Sequence, residues 1–113
     1  MVSWVKCQGD VWCSLERVDL SGVNTTGVYI IWHGGPKPRV VYVGQGNVAD
    51  RLRTHRNDQS ILRHRQNGDL YVTWAAVASN EMDGVERYLF DHWTPLEGVA
   101  RPNVRPIAVN SPW

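Results

Sequence analysis

Two stretches of opposite charge follow each other in the second half of the chain. Residues 51–65 carry five arginines against one aspartate, and residues 66–100 carry one arginine against six carboxylates. Arginine presents a planar fork of N–H donors that suits phosphate oxygens, and carboxylates bind hard divalent cations. This combination is what metal-dependent cleavage of a phosphodiester needs. The alternative is two solvated helix faces that merely differ in sign.

Composition excludes several classes of protein. Twelve lysines and arginines against eleven aspartates and glutamates give a net charge of +1, which excludes a strongly basic protein of the histone type. With 42% hydrophobic residues, 20% charged residues and six tryptophans, the chain is predicted to fold. Its 113 residues favour one domain, 1–113. Within it we expect an N-terminal docking segment (1–23), a motif-bearing core (24–104) and a C-terminal tail (105–113).

The cysteines and the hydropathy pattern predict location and redox state. The longest apolar run, Val28 to Trp32, falls far short of the roughly 18–20 residues of a membrane helix. Residues 1–10 lack the pattern of a secretory signal, so we expect a cytoplasmic protein that does not enter a membrane. Cys7 and Cys13 do not have the spacing of a zinc or redox pair, and we expect reduced, partly buried thiols.

Three runs rich in β-branched and aromatic residues predict strands, at 28–32, 40–43 and 70–77, with the first two forming a hairpin. With the helices below, they predict an α+β fold, a small α/β sandwich with a three-stranded antiparallel β-sheet flanked by helices. The tryptophans are expected mainly in the core. Trp32 and Trp74, on strands, could instead stack on nucleic-acid bases.

Capping residues and hydrophobic spacing predict the helices. Asn47 is a suitable N-cap for a helix from Val48 to His55, in which Arg51 and His55 share one face. Spacing also predicts a docking helix that includes Trp12, Leu15 and Val18. Two further helices are expected at 61–66 and 81–93.

Two tripeptides stand out, because Gly27-Val28-Tyr29 opens the first strand and Tyr42-Val43-Gly44 closes the second. The candidate residues follow in the order Tyr29, Tyr42, Arg51, His55, Glu86 and Asn103. Singly, each has a structural alternative, such as a half-buried strand tyrosine or a surface charge. Together, over residues 27–104, they resemble the GIY-YIG nuclease superfamily. That resemblance implies a small sandwich on a three-stranded sheet and single-metal cleavage of DNA.

The resemblance also assigns roles. It implies that Tyr29 acts on the attacking water, with Tyr42 supporting the network and Arg51 holding the phosphate. His55 stands where members carry His or Tyr, Glu86 matches the ligand of Mg²⁺ or Mn²⁺, and Asn103 matches a late polar residue. With a typical pKa near 6.5, His55 is also a candidate proton relay. We expect nucleic-acid phosphates to contact Gly44, Gln45, Arg51, Arg53 and Arg56.

The chain departs from the family pattern at Gln45, where several members carry lysine, and from its 113 residues we expect no separate DNA-recognition domain. Loss of that positive charge favours an alternative, a catalytically weak or inactive nucleic-acid-binding module. A second alternative is an accessory subunit of a DNA-processing complex. In each case a protein partner could supply specificity.

Overall fold

The three predicted strands lie side by side in a computed structural model that describes residues 1–98 and 102–113. They are β2 (Thr26–His33), β3 (Arg39–Asn47) and β4 (Leu70–Ala76), and all pairing is antiparallel. A two-residue strand, β1 (Cys13–Ser14), pairs with the outer side of β4, so the order is β1-β4-β2-β3. Among the described residues the sheet therefore has four strands. The prediction of three strands was wrong because it lacked the short strand β1.

The docking helix predicted around Leu15 is not formed. The N-terminal segment instead runs along β4, with Val5 N–H donating to the Trp74 carbonyl and Leu15 N–H to the Leu70 carbonyl. The free edge of β4 offers backbone partners, and these replace the internal hydrogen bonds of a helix. Leu15, one of the residues whose three-residue spacing predicted the helix, is instead buried in the core beside β4.

Cys7 and Cys13 form a disulfide, so the expectation of two reduced thiols was wrong. The backbone of Cys7 pairs with Val11, which folds the segment back on itself and brings Cys13 towards Cys7. This proximity results from a tight turn, whose left-handed residues are Gly9 and Asp10. Spacing alone gave no sign of it.

Strand β2 is buried on both faces. Tyr29 and Ile31 face the core beneath the two helices α1 (Val48–His55) and α2 (Gln59–Leu62). Val28 and Ile30 face the other core, covered by α3 (Met82–Trp93). The strict alternation of strand side chains separates the two cores. The candidate tyrosine Tyr29 thereby lies against α1.

The helix predicted to start after Asn47 is confirmed, and the Asn47 side chain accepts a hydrogen bond from Asp50 N–H. The second predicted helix is divided into α2, capped by Asp58, and a 3₁₀ helix (Arg63–Asn67). The third is α3, which ends at Thr94, a residue in the left-handed conformation before Pro95. Among the described residues, no helix could cross a membrane, and the 12-residue α3 is the longest.

The chain beyond α3 returns to the body at several places. Leu96 and Glu97 donate their N–H groups to the carbonyls of Val40 and Val41, along the outer edge of β3. Further on, Ile107 N–H donates to the Gly84 carbonyl on α3. The return therefore covers part of the edge strand and one side of α3.

Candidate active site

Tyr29 lies at the centre of the candidate site. It projects from β2 towards α1, and its side chain is fully buried. The phenol oxygen lies 2.8 Å from His55 Nε2, and Arg51 Nε donates to the same oxygen at 3.4 Å. Arg51 and His55 reach it together because they are one turn apart on α1. Three of the residues singled out in the sequence are therefore in direct contact.

The positions of the neighbouring groups assign the proton between Tyr29 and His55. The Arg51 guanidinium has only donors, so the phenol oxygen of Tyr29 accepts a hydrogen bond from it. The phenol proton of Tyr29 therefore needs a different group as its acceptor. His55 Nε2 fits that role, which places the imidazole proton on Nδ1. Nδ1 has no hydrogen-bond partner but faces Asp58 Oδ2 at 3.9 Å, and a proton there is attracted to the carboxylate. We therefore assign Tyr29 as the donor and neutral His55 as the acceptor.

Burial dominates the electrostatics of this pair. Loss of water raises the pKa of Tyr29 to about 12, although Arg51 acts to lower it. Burial, reinforced by the positive charge of Arg51, lowers the pKa of His55 to about 4. Both side chains are consequently neutral at physiological pH. Tyr29 cannot act as a preformed phenolate, and its usefulness as a base depends on passing its own proton to His55.

Tyr42 completes an aromatic cluster with these two residues. Its ring stacks on Tyr29 at 6.1 Å between centroids and lies 4.5 Å from the His55 ring. Tyr42, like Tyr29, acts to raise the pKa of Arg51, so the guanidinium interacts with both tyrosines. The two tyrosines meet because Ile31 pairs with Tyr42, which places the Tyr42 side chain on the same sheet face as Tyr29.

Gly44 leaves room for Tyr29. The two residues pair directly across β2 and β3, and a Cβ at Gly44 would overlap both the phenol oxygen and the ring of Tyr29. Any larger residue would displace the phenol from His55. The glycine of the second tripeptide is thus explained by packing around Tyr29, and a contact with phosphate is not needed to account for it.

Glu86 approaches from the other side of edge strand β3. It is half-buried on α3, and burial, with a further contribution from Asp83, raises its pKa. Gln45 and Arg51 act to lower the pKa of Glu86, and the charge of Glu86 in turn contributes to the raised pKa of Tyr29. Glu86, Arg51 and Tyr29 are therefore close enough for their charges to interact across the end of β3.

Gln45 lies in the gap between β3 and α3, beside Asp83. Its Nε2 donates to Asp83 Oδ1 at 2.6 Å, and the Gln45 amide acts to lower the pKa of Glu86. Asp83 and Glu86 are three residues apart on α3 and so share a face. Sequence reasoning missed Asp83, although this spacing from Glu86 was visible. Lysine would carry a positive charge into this gap, whereas glutamine contributes a neutral donor.

The oxygen donors at this gap fit a hydrated divalent cation. Glu86 and Asp83 supply carboxylate oxygens, and the Gln45 amide supplies a carbonyl oxygen. Across residues 1–98 and 102–113, no group of three or more His, Cys, Asp or Glu side chains is arranged to hold a metal. Mg²⁺ commonly keeps several waters and binds only one or two carboxylates. This donor set therefore suits Mg²⁺ better than it suits an ion that takes all of its ligands from the protein.

The other arginines of the basic segment are engaged elsewhere. Arg56 donates from Nε to the Leu15 carbonyl at 2.8 Å and from Nη2 to the Val18 carbonyl, which ties the N-terminal segment to α1. Arg53 pairs with Asp50 at 3.3 Å. Two further ion pairs in this segment join Arg63 to Glu97 and Arg65 to Glu16. The structure therefore brings Arg51 to Tyr29, whereas Arg53 and Arg56 contact other groups.

Asn103 lies apart from the cluster. It is exposed, on the segment that passes α3, where Arg87 donates to the Pro102 carbonyl. In the described parts of the chain its side chain makes no hydrogen bond to Tyr29, Arg51 or Glu86. The nearby residues 99–101 lie outside the described ranges.

Comparison with models of known protein families, with curated proteins and with solved structures found no match.

Proposed function

We propose that this protein is a divalent-metal-dependent endonuclease that hydrolyses DNA phosphodiester bonds. The observation that carries the proposal is the contact of Tyr29 with both His55 and Arg51. The charge of Glu86 on α3 adds to it, because Glu86 acts to raise the pKa of Tyr29 while Arg51 acts to lower the pKa of Glu86. This arrangement supplies a cation for phosphate, a path for a proton and an oxygen ligand for a metal.

In the proposed reaction, Arg51 binds the non-bridging oxygens of the scissile phosphate. The hydroxyl of Tyr29 is buried, so water reaches it when Arg51 turns towards the phosphate. Water then gives a proton to Tyr29 as Tyr29 gives its own proton to His55 Nε2. The resulting hydroxide attacks phosphorus, the opposite phosphorus–oxygen ester bond breaks, and the sugar oxygen leaves with the electron pair and takes up a proton from solvent. The bound phosphate offsets the charge of Arg51, which removes one cause of the low His55 pKa.

Glu86 would hold Mg²⁺ or Mn²⁺, with Asp83 and Gln45 adjoining. The ion, when bound, supplies Lewis-acid stabilisation for the departing oxygen. Gln45 must release Asp83 if that carboxylate is also to bind the ion, since its amide donates to Asp83. The proposed setting is the cytoplasm, where the Cys7–Cys13 disulfide would be an exception to the reduced state usual for that compartment. A protein partner could supply the sequence or structure specificity.

The test is cleavage of plasmid and branched synthetic DNA in Mg²⁺ or Mn²⁺ by wild type, Glu86→Gln and the control Glu81→Gln. Glu81 is an exposed carboxylate at the start of the same helix. We expect Glu86→Gln to reduce the rate by at least about 100-fold while Glu81→Gln stays near wild type. No cleavage by wild type on any substrate, or equal cleavage by both variants, would contradict the proposal.

One observation favours the second candidate, a nucleic-acid-binding module with little catalysis. Gln45 engages Asp83 while Tyr29 is fully buried with a high pKa, so neither group is free to take part in catalysis in this arrangement. This candidate predicts salt-sensitive binding of DNA that Arg51→Ala weakens, with no metal-dependent turnover. A Gln45→Lys variant that gained cleavage would identify Gln45 as the cause of low activity.

A further inference from the structure

Four tryptophans surround a cavity on the sheet face opposite Tyr29. Trp32 projects from β2 into the core beneath α3, and Trp12, Trp93 and Trp113 come from the N-terminal segment, the end of α3 and the last residue. The cavity has a volume of about 510 Å³. That volume lies within the range of roughly 300–1,000 Å³ typical of small-molecule sites.

The rings form a continuous aromatic wall. Trp113 lies 4.7 Å from Trp32 and 5.2 Å from Trp93 between ring centroids, and Trp12 meets Trp32 edge-on at 5.4 Å. Trp113 is 50% exposed, although it is large and apolar. A flat apolar ligand entering here would replace water on exposed indole with ring contact.

The rim of the cavity is positively charged. Arg39 lines it and is exposed, and within the described residues no carboxylate forms an ion pair with it. Lys6 lies beside the cavity, with its Nζ 4.6 Å from the centroid of the Trp12 ring. Lys6 also pairs with Asp10 at 3.5 Å, but that contact is exposed and therefore weak. The net charge near the aromatic wall favours an anionic ligand.

We propose that this cavity binds an unpaired nucleobase of a single-stranded nucleic acid. The base stacks against the tryptophan wall, and an adjoining phosphate pairs with Arg39. Stacking on aromatic rings beside positive charges is the general mode of single-strand recognition. A quaternary ammonium ligand, the other common occupant of aromatic cages, would be repelled by Arg39. This binding is a function additional to phosphodiester cleavage, and it requires none of the residues around Tyr29.

The test is fluorescence anisotropy with labelled oligothymidylate of about 12 nucleotides and a duplex of equal length, in EDTA so that no metal-dependent cleavage occurs. We expect the single strand to bind at least about 10-fold more tightly than the duplex. Trp113→Leu should weaken single-strand binding by about 10-fold, whereas Trp113→Phe, which retains an aromatic face, should restore most of it.

Arg39→Gln provides a second, electrostatic readout, since Arg39 is exposed and its replacement should leave the fold intact. It should reduce the slope of log binding constant against log salt concentration by about 0.7, the contribution of one phosphate contact. The matched control is Arg17→Gln, an exposed arginine outside the cavity. Tighter duplex binding, or single-strand binding that folded Trp113→Leu and Arg39→Gln leave unchanged, would overturn the proposal. So would capture of a proline-rich or methyl-lysine peptide in place of oligothymidylate.

Discussion

Tyr29 Oη and His55 Nε2 lie 2.8 Å apart in a buried contact between the central strand β2 and helix α1. Because Tyr29 donates and His55 accepts, this contact requires an uncharged imidazole. It links the proposed proton path to the stability of the fold. Protonation of His55 would remove the acceptor and place a positive charge beside Arg51.

Acid should therefore destabilise the protein through His55. Its pKa is about 4 in the folded protein and near 6.5 when unfolded. The unfolded chain consequently binds more protons between these values, and stability falls as pH drops from 6.5 towards 4. When the pH falls from 7 to 4.5, the free energy of unfolding measured in urea should decrease by about 2 kcal/mol more in wild type than in His55→Gln. An equal loss in both proteins would contradict the assignment of a neutral, buried His55.

Gly44 should resist enlargement because of Tyr29. Gly44→Ala places a methyl group against the phenol, and we expect it to lower the free energy of unfolding by about 1–3 kcal/mol. The control is Gly22→Ala, where a Cβ would meet no atom within 4 Å. That variant should change stability by less than about 1 kcal/mol. Chemical denaturation measures both, and equal effects would show that the phenol can move aside.

The arginines of α1 should separate into structural and binding roles. Arg56→Ala removes two hydrogen bonds to the N-terminal segment and should destabilise the fold by about 1.5–3 kcal/mol without altering DNA affinity. Arg51→Ala should weaken DNA binding measured by anisotropy. Arg53→Ala, which breaks an exposed pair with Asp50 and one long hydrogen bond of 3.4 Å to the Leu20 carbonyl, should cost less, about 1 kcal/mol or less. A stability loss at Arg53 equal to that at Arg56 would argue against this division.

The disulfide between Cys7 and Cys13 should stabilise the docked N-terminal segment. For a loop this short, reduction should lower the free energy of unfolding by about 2 kcal/mol, measured by denaturation with and without reductant. A Cys7→Ser, Cys13→Ser double variant is the control and should not respond to reductant. Free thiols detected in the native, unreduced protein would show that the bond is not formed.

Local signals in the sequence were sufficient for most elements of the fold. Asn47 was recognisable as a cap because its side chain bonds to a backbone group three residues away. The three longer strands were visible because β-branched and aromatic residues cluster in them. The two-residue strand at Cys13 was not visible in the sequence. It forms by pairing with the edge of β4, which is distant in sequence.

The sequence by itself determined which residues could form the site, including Tyr29, Arg51 and His55, since types and spacing place them on neighbouring elements. Tertiary structure alone decided their chemical state. Burial, a property of the packed chain, keeps Tyr29 and His55 neutral. Docking of the N-terminal segment engages Arg56, and the approach of α3 to β3 brings Asp83 to Gln45. Such partners are distant in sequence, so no local pattern could reveal them.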